Sequence, residues 1–200
     1  MFHFAHGQVS GQVSSTPLTD DTIREAVTAW CDDPVSAAGV YGNISDWNTS
    51  QVTDMEFLFS INSPDKNRPY CFGDTTSGGI TYETFQDDIS KWDVSRVKTM
   101  KYMFFLGSTF NGDISAWNVS SLKFTHQMFS ANLKFNRDLS AWDVSRVEGM
   151  AFMFAGASSF DQHLCWDVSP STITTRIFHK TSGACFNKTC GSVLNNDLYC

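Results

Sequence analysis

Apolar and polar positions recur along this chain at one long interval, well beyond the period of a single helix or strand. Trp47, Trp92, Trp117, Trp142 and Trp166 each open a similar phrase: WNTS, WDVS, WNVS, WDVS and WDVS. The last four are spaced 25, 25 and 24 residues apart, and the first gap of 45 is one unit plus an insertion of 20. Counting from each Trp, position +5 holds Val52, Val97, Leu122 and Val147. Position +8 holds Met55, Met100 and Met150, with Thr125 breaking the row. Position +11 holds Leu58, Met103, Met128, Met153 and Ile177, and position +12 holds Phe59, Phe104, Phe129, Phe154 and Phe178. Ahead of the Trp stand Ile44, Ile89, Ile114 and Leu139 at −3, and Phe85, Phe110 and Phe135 at −7, with Phe160 at −6 in the shorter unit. Such a register marks a repeat architecture, in which a unit too small to bury its own apolar face buries it against its neighbours.

The pattern predicts the elements of each unit. Apolar positions at +5, +8 and +11 suit a short α- or 3₁₀-helix, with the Ser at +3 placed to cap its start. The stretch from Ile through Trp to Val, β-branched and aromatic, suits a short strand. Strands of successive units would pair in parallel, and units joined this way wind right-handed. The expected fold is a right-handed α/β repeat solenoid.

Solenoid ends need caps. Residues 1–17 carry no pattern. Residues 18–40 suit a helical N-terminal cap: Ile23, Ala26, Val27 and Trp30 share one helical face, Thr19 can serve as N-cap, and Asp20 and Asp21 suit the positive helix end. The helix should break near Asp32-Asp33-Pro34. Residues 41–180 form the repeat array, with an inserted Gly/Pro-rich loop at 61–84. Residues 181–200 form a cysteine-bearing C-terminal cap.

Composition narrows the setting. Hydrophobic residues make up 42% and charged residues 18%, too apolar for a disordered chain. The net charge of −7, with no basic stretch, argues against nucleic acid and anionic membranes as partners. No stretch approaches the ~20 apolar residues of a membrane span. The first residues lack the basic and apolar regions of a signal peptide, so either a signal has been removed or the chain is a segment of something larger.

Six cysteines stand at Cys31, Cys71, Cys165, Cys185, Cys190 and Cys200, four of them in the last 36 residues. They form no C-x-x-C pair, which favours disulfides over zinc and hence an oxidising compartment. Cys71 and Cys31 are a suggested pair. Asn43, Asn48, Asn118 and Asn187 each begin an Asn-x-Ser/Thr sequon and are candidate glycosylation sites.

The polar row at +1, Asn48, Asp93, Asn118, Asp143 and Asp167, has two readings. Stacked carboxylates could bind calcium, but Asn stands in two of five units and no Gly-rich ligand loop accompanies it. Turn closure through side chain–backbone bonds is the better reading. The five Trp could face solvent as a platform for sugars, but their Ile, Val and Phe company favours a core ladder. Among the histidines, His3 and His6 sit in the unpatterned start, His126 is expected on the outer face of a repeat helix, and His163 and His179 lie in the last unit. No nucleophile elbow, P-loop, zincin or Rossmann fingerprint is present, so no catalytic, cofactor-binding or metal-binding residue is expected.

The phrase WDVSRVKTMKYMFFLGSTFNGDISAW is very similar to the repeat of the BspA-like leucine-rich-repeat surface proteins, a branch of which was long filed as a domain of unknown function in mycoplasmas. The stretch LTDDTIREAVTAWCDD…YGNISDWNTSQVTDMEFLF resembles the entry to these repeats in microalgae and other single-celled eukaryotes. The resemblance covers roughly residues 18–180. It implies leucine-rich-repeat-like coils of short parallel strand plus short helix, a secreted or cell-surface location, and adhesion to protein or glycan partners. It supplies no catalytic residues. The expected function is therefore an extracellular binding module without enzymatic activity. The alternative is a structural subunit that packs with copies of itself into a layer or fibre.

Overall fold

The computed structural model describes residues 16–60, 85–106, 110–187 and 198–199, from 185 onward as backbone only. The inserted loop at 61–84 and the segment 1–15 lie outside the described residues.

The chain enters through two helices. Helix α1 (Asp20–Asp32) starts at Thr19, whose hydroxyl accepts from the Thr22 N–H while the Thr22 hydroxyl accepts from the Thr19 N–H, a reciprocal cap. Its Ile23, Ala26, Val27 and Trp30 are all buried. The break at Asp33 separates it from a second helix, α2 (Pro34–Tyr41), which the sequence pattern did not suggest. Asp33 ends one helix and caps the next: its carboxylate accepts from the N–H groups of Val35 and Ser36, and Pro34 takes the first helical position.

The repeat units then lie side by side in chain order. Parallel bridges join Asp54 to Thr99, Thr99 to Phe124, Phe124 to Gly149 and Gly149 to Ile173, all at +7. Within a unit the elements differ from expectation. The helix at +5 to +11 does not form, and the strand expected from Ile through Trp is replaced by turns, apart from a short 3₁₀ helix at Ile44–Asp46 in the first unit and a two-residue strand, His163–Leu164, in the last. The physical reason lies in where the N–H groups go. Those of Met55, Phe57 and Phe59 donate to the carbonyls of Thr99, Lys101 and Met103 in the following unit, while those of Leu58 and Ser60 donate three residues back within their own unit. The same alternation recurs from Met100, Thr125 and Met150 onward. Every second amide thus stitches neighbouring units together, which a helix's internal i to i−4 bonding would forbid.

This path has a conformational cost. The +10 residues Phe57, Tyr102, Gln127, Phe152 and Arg176 all have φ between 50° and 58°. Leu106, Ala131 and Lys180 at +14 are left-handed too, with φ of 54° to 60°, where the fourth unit has Gly156. A left-handed non-glycine residue costs about 1 kcal/mol or more, and the inter-unit hydrogen bonds and packing must offset it.

The interior is aromatic. The +12 phenylalanines stack as a spine, with Phe59, Phe104, Phe129 and Phe154 at 5.5 Å centroid spacing and Phe178 5.6 Å beyond. Each of the first four also lies against the Phe that opens the next unit: Phe59 on Phe85, Phe104 on Phe110, Phe129 on Phe135 and Phe154 on Phe160, at 3.9 to 4.2 Å. The five repeat tryptophans are buried beside them. Their indole N–H groups are satisfied in register: Trp92, Trp117, Trp142 and Trp166 donate to the carbonyls of Ile44, Ile89, Ile114 and Leu139 of the preceding unit, and Trp47 to Gly42. The −3 carbonyl also accepts the backbone N–H of its own unit's Trp, so both its lone pairs are used.

At the far end, a three-stranded sheet closes the chain: β1 (His163–Leu164) pairs in parallel with β2 (Cys185–Asn187), which pairs antiparallel with β3 (Leu198–Tyr199).

Candidate functional site: the outward stripe of the repeats

Buried residues at +8, +11 and +12 leave +7, +9 and +10 facing outward on the hydrogen-bonded side of the first three units; in the fourth, Gly149 and Ala151 are buried and only Phe152 is part-exposed. At +10 the half-buried residues run Phe57, Tyr102, Gln127 and Phe152 across four units. Phe57 and Tyr102 stack face to face at 4.5 Å with planes 4° apart, and Phe105 packs edge-on to Tyr102 at 5.5 Å. Their left-handed backbone turns these rings outward just before the chain dives into the core. An aromatic cluster of Phe57, Tyr102 and Phe105 results, and Gln127 separates it from Phe152.

Beside it, +9 carries Glu56, Lys101 and His126. Lys101 Nζ lies 3.5 Å from Glu56 Oε2 and 5.4 Å from the centre of the Phe124 ring. Burial and the Lys101 charge hold His126 below its ordinary pKa, with Glu56 pulling partly the other way. His126 is half-buried, and it stands on a turn rather than on a helix. Its ring occupies the space above Gly149: a Cβ there would collide with His126 Cε1. Next to it, Thr125 fills the methionine position, and its hydroxyl has no hydrogen-bond partner among the described residues.

The +1 row makes turns. Asn48, Asp93, Asn118 and Asp143 each accept the N–H of the Ser two residues on. Asp93 and Asp143 are held below the usual carboxylate range by the serine hydroxyl and N–H. Asp167 departs from the row; there Pro170 follows, and the Ser169 hydroxyl pairs with Ser171 instead. A second row at −4 does the same work: Asn43, Asp88, Asp113 and Asp138 accept from Ser45, Ser90, Ser115 and Ser140. The Asx-x-Ser phrase at −4 was present in the sequence and could have been read there. Among the described residues no group of three His, Cys, Asp or Glu could hold a metal ion.

The sequon residues Asn43, Asn48 and Asn118 are exposed, and Asn187 lies outside the described side chains. Cys31 and Cys165 are disulfide-bonded. Cys71, Cys190 and Cys200 lie outside the described residues, as does the side chain of Cys185, so the suggested pairing of Cys71 with Cys31 falls there too. His163 and His179 are exposed and apart from the stripe, and His3 and His6 lie outside the described residues.

The family described as "Mycoplasma protein of unknown function, DUF285" matches residues 35–67 and 74–191. The chain belongs to this family. The break in the match, at 68–73, falls inside the 61–84 insertion of this DUF285 protein. No curated protein and no solved structure matches it. No described helix of this DUF285 protein is long and apolar enough to cross a membrane.

Proposed function

We propose that this protein is an extracellular or cell-surface binding module that engages a protein or glycan through the aromatic stripe at +10. It is a right-handed solenoid of the BspA-like, leucine-rich-repeat-related kind. The observation that carries the reading is the outward stack of Phe57 on Tyr102, with Phe105 edge-on to it, beside Lys101 and Glu56; Phe152 holds the same +10 position two units on. Flat, half-exposed rings with polar neighbours suit the apolar faces of sugars and the aromatic contacts that anchor protein interfaces. The disulfide-bonded Cys31 and Cys165 support an oxidising compartment. The carboxylates at +1 and −4 are engaged by their own turns, which supports a binding role over catalysis.

The test is a glycan and matrix-protein array probed with the wild-type protein and with a Phe57→Gln/Tyr102→Gln/Phe152→Gln variant. Gln127 already holds this position in the third unit, so glutamine is compatible with the backbone there. Binding lost in the variant, with the fold intact by circular dichroism, supports the reading. Undiminished binding in the variant contradicts it. Self-association through the same stripe, the structural-subunit alternative, would show as concentration-dependent elution on size exclusion that the variant abolishes.

A further inference from the structure

The ladder that joins the units has a direction, and its two ends are unlike. Each unit donates from +8, +10 and +12 to carbonyls at +7, +9 and +11 of the next, and within this ladder only the +6 carbonyl accepts in the opposite sense, as Thr53 does from Lys98. At the first unit, side chains of α1 take the place of a preceding unit. Arg24 donates to the carbonyls of Glu56 at 2.8 Å and Asp54 at 3.4 Å, and Asp20 accepts from the N–H groups of Thr53 and Asp54. That end is closed. At the last unit the carbonyls at +7, +9 and +11 accept from the fourth unit, but the N–H groups of Thr174 and Arg176 have no acceptor among the described residues. Ile177 and Phe178 are buried, so the core end is covered there. Outside it, Ile173 is 54% exposed and Thr175, Arg176 and Lys180 are exposed as well.

We propose that this rim is a docking edge for an extended, acidic segment of a partner protein, which adds one more rung to the ladder. The partner's chemistry follows from the edge. Donors two residues apart call for a backbone that presents carbonyls two residues apart, the geometry already met four times within the chain. The rim is basic in a protein of net charge −7: Arg176, His179 and Lys180 stand where the fourth unit has Phe152, Ala155 and Gly156. Charge complementarity therefore selects an acidic strand. A second copy of this chain cannot add head to tail through the ladder, because Arg24 and Asp20 occupy the matching groups of its first unit.

The experiment uses the ¹⁵N-labelled full chain and two synthetic probes, acetyl-(Asp-Val)₃-amide and acetyl-(Lys-Val)₃-amide. The inference expects the Thr174 and Arg176 amides to shift and to gain at least tenfold protection from hydrogen exchange with the acidic probe. It expects neither effect with the basic probe. The Arg176→Glu/Lys180→Glu variant, whose folding is checked by its unchanged amide spectrum elsewhere, should bind the acidic probe at least tenfold more weakly. Three outcomes overturn the inference: amides already protected in the free protein, which means the chain's own tail fills the edge; shifts without protection, which means charge attraction alone; or no response to millimolar probe. Arg176 holds the +10 position of the last unit, but none of these outcomes involves the rings of Phe57, Tyr102 or Phe152, so the proposed function stands or falls separately.

Discussion

The guanidinium of Arg24 donates to the carbonyl of Glu56 at 2.8 Å, the place a backbone amide of a preceding repeat would fill. With its second contacts to the carbonyl and carboxylate of Asp54, one arginine covers the +7 and +9 carbonyls at the acceptor end of the inter-unit ladder.

Replacing Arg24 with Met keeps the aliphatic stem and removes the donors. The side chain is partly exposed, so the expected loss is about 1–2 kcal/mol, the low end for charge-assisted bonds. Equilibrium urea unfolding measures it, and hydrogen exchange should place the new fraying in the first unit. An unchanged midpoint would mean that water serves as well as the guanidinium.

The left-handed positions give a paired test. A Cβ on Gly156 would meet its nearest neighbour, Ala131 Cα, at an ordinary 3.6 Å, so Gly156→Ala isolates the cost of φ 75°. It should destabilise by about 1 kcal/mol. Ala131→Gly, at φ 57° in the adjacent unit, should be neutral or stabilising by a few tenths of a kcal/mol, against the usual penalty for such a change. Thermal melts of both variants check the pair.

Gly149 and His126 should be coupled. Gly149→Ala alone forces the imidazole out of place and should cost about 1–3 kcal/mol. In a His126→Ala background the same substitution should cost little. A double-mutant cycle with a coupling under about 0.3 kcal/mol would show that the ring moves aside freely.

Stability should fall in acid by two steps. Folding holds His126 below its ordinary pKa, so the folded protein resists its protonation; stability is full above about pH 6.5 and declines as pH drops below it. The carboxyls of Asp93, Asp113 and Asp143 are also held low, by their serine partners, so their contribution is present above about pH 3.9 and is lost as pH falls through the folded values. His126→Gln should remove the first step from a plot of Tm against pH. Asp93→Asn/Asp143→Asn should shrink the second while keeping the turns, as Asn48 and Asn118 already do.

The sequence made the interior legible, because Trp, Met and Phe recur at offsets that no other requirement imposes. Thr19 and the face of Ile23, Ala26, Val27 and Trp30 were readable for the same reason: capping and amphipathicity are local. What could not be read was the path between core positions. Spacing by three at +5, +8 and +11 fits a helix equally well, and the left-handed state of Tyr102 or Phe152 is set by carbonyls of another unit. Nor could Arg24 be recognised as a cap, since its role is to imitate backbone across 30 residues of chain. The outward stripe escaped notice because Phe57 and Tyr102 look like core residues until the turn at +10 is known.

Residue-resolved hydrogen exchange on the native protein tests the shared interior most directly. The account predicts that the amides of Met55, Met100, Thr125 and Met150, each bonded to the following unit, are protected together and open with one common free energy. Fast exchange at these four amides, or protection that differs unit by unit as in independent beads, would contradict it.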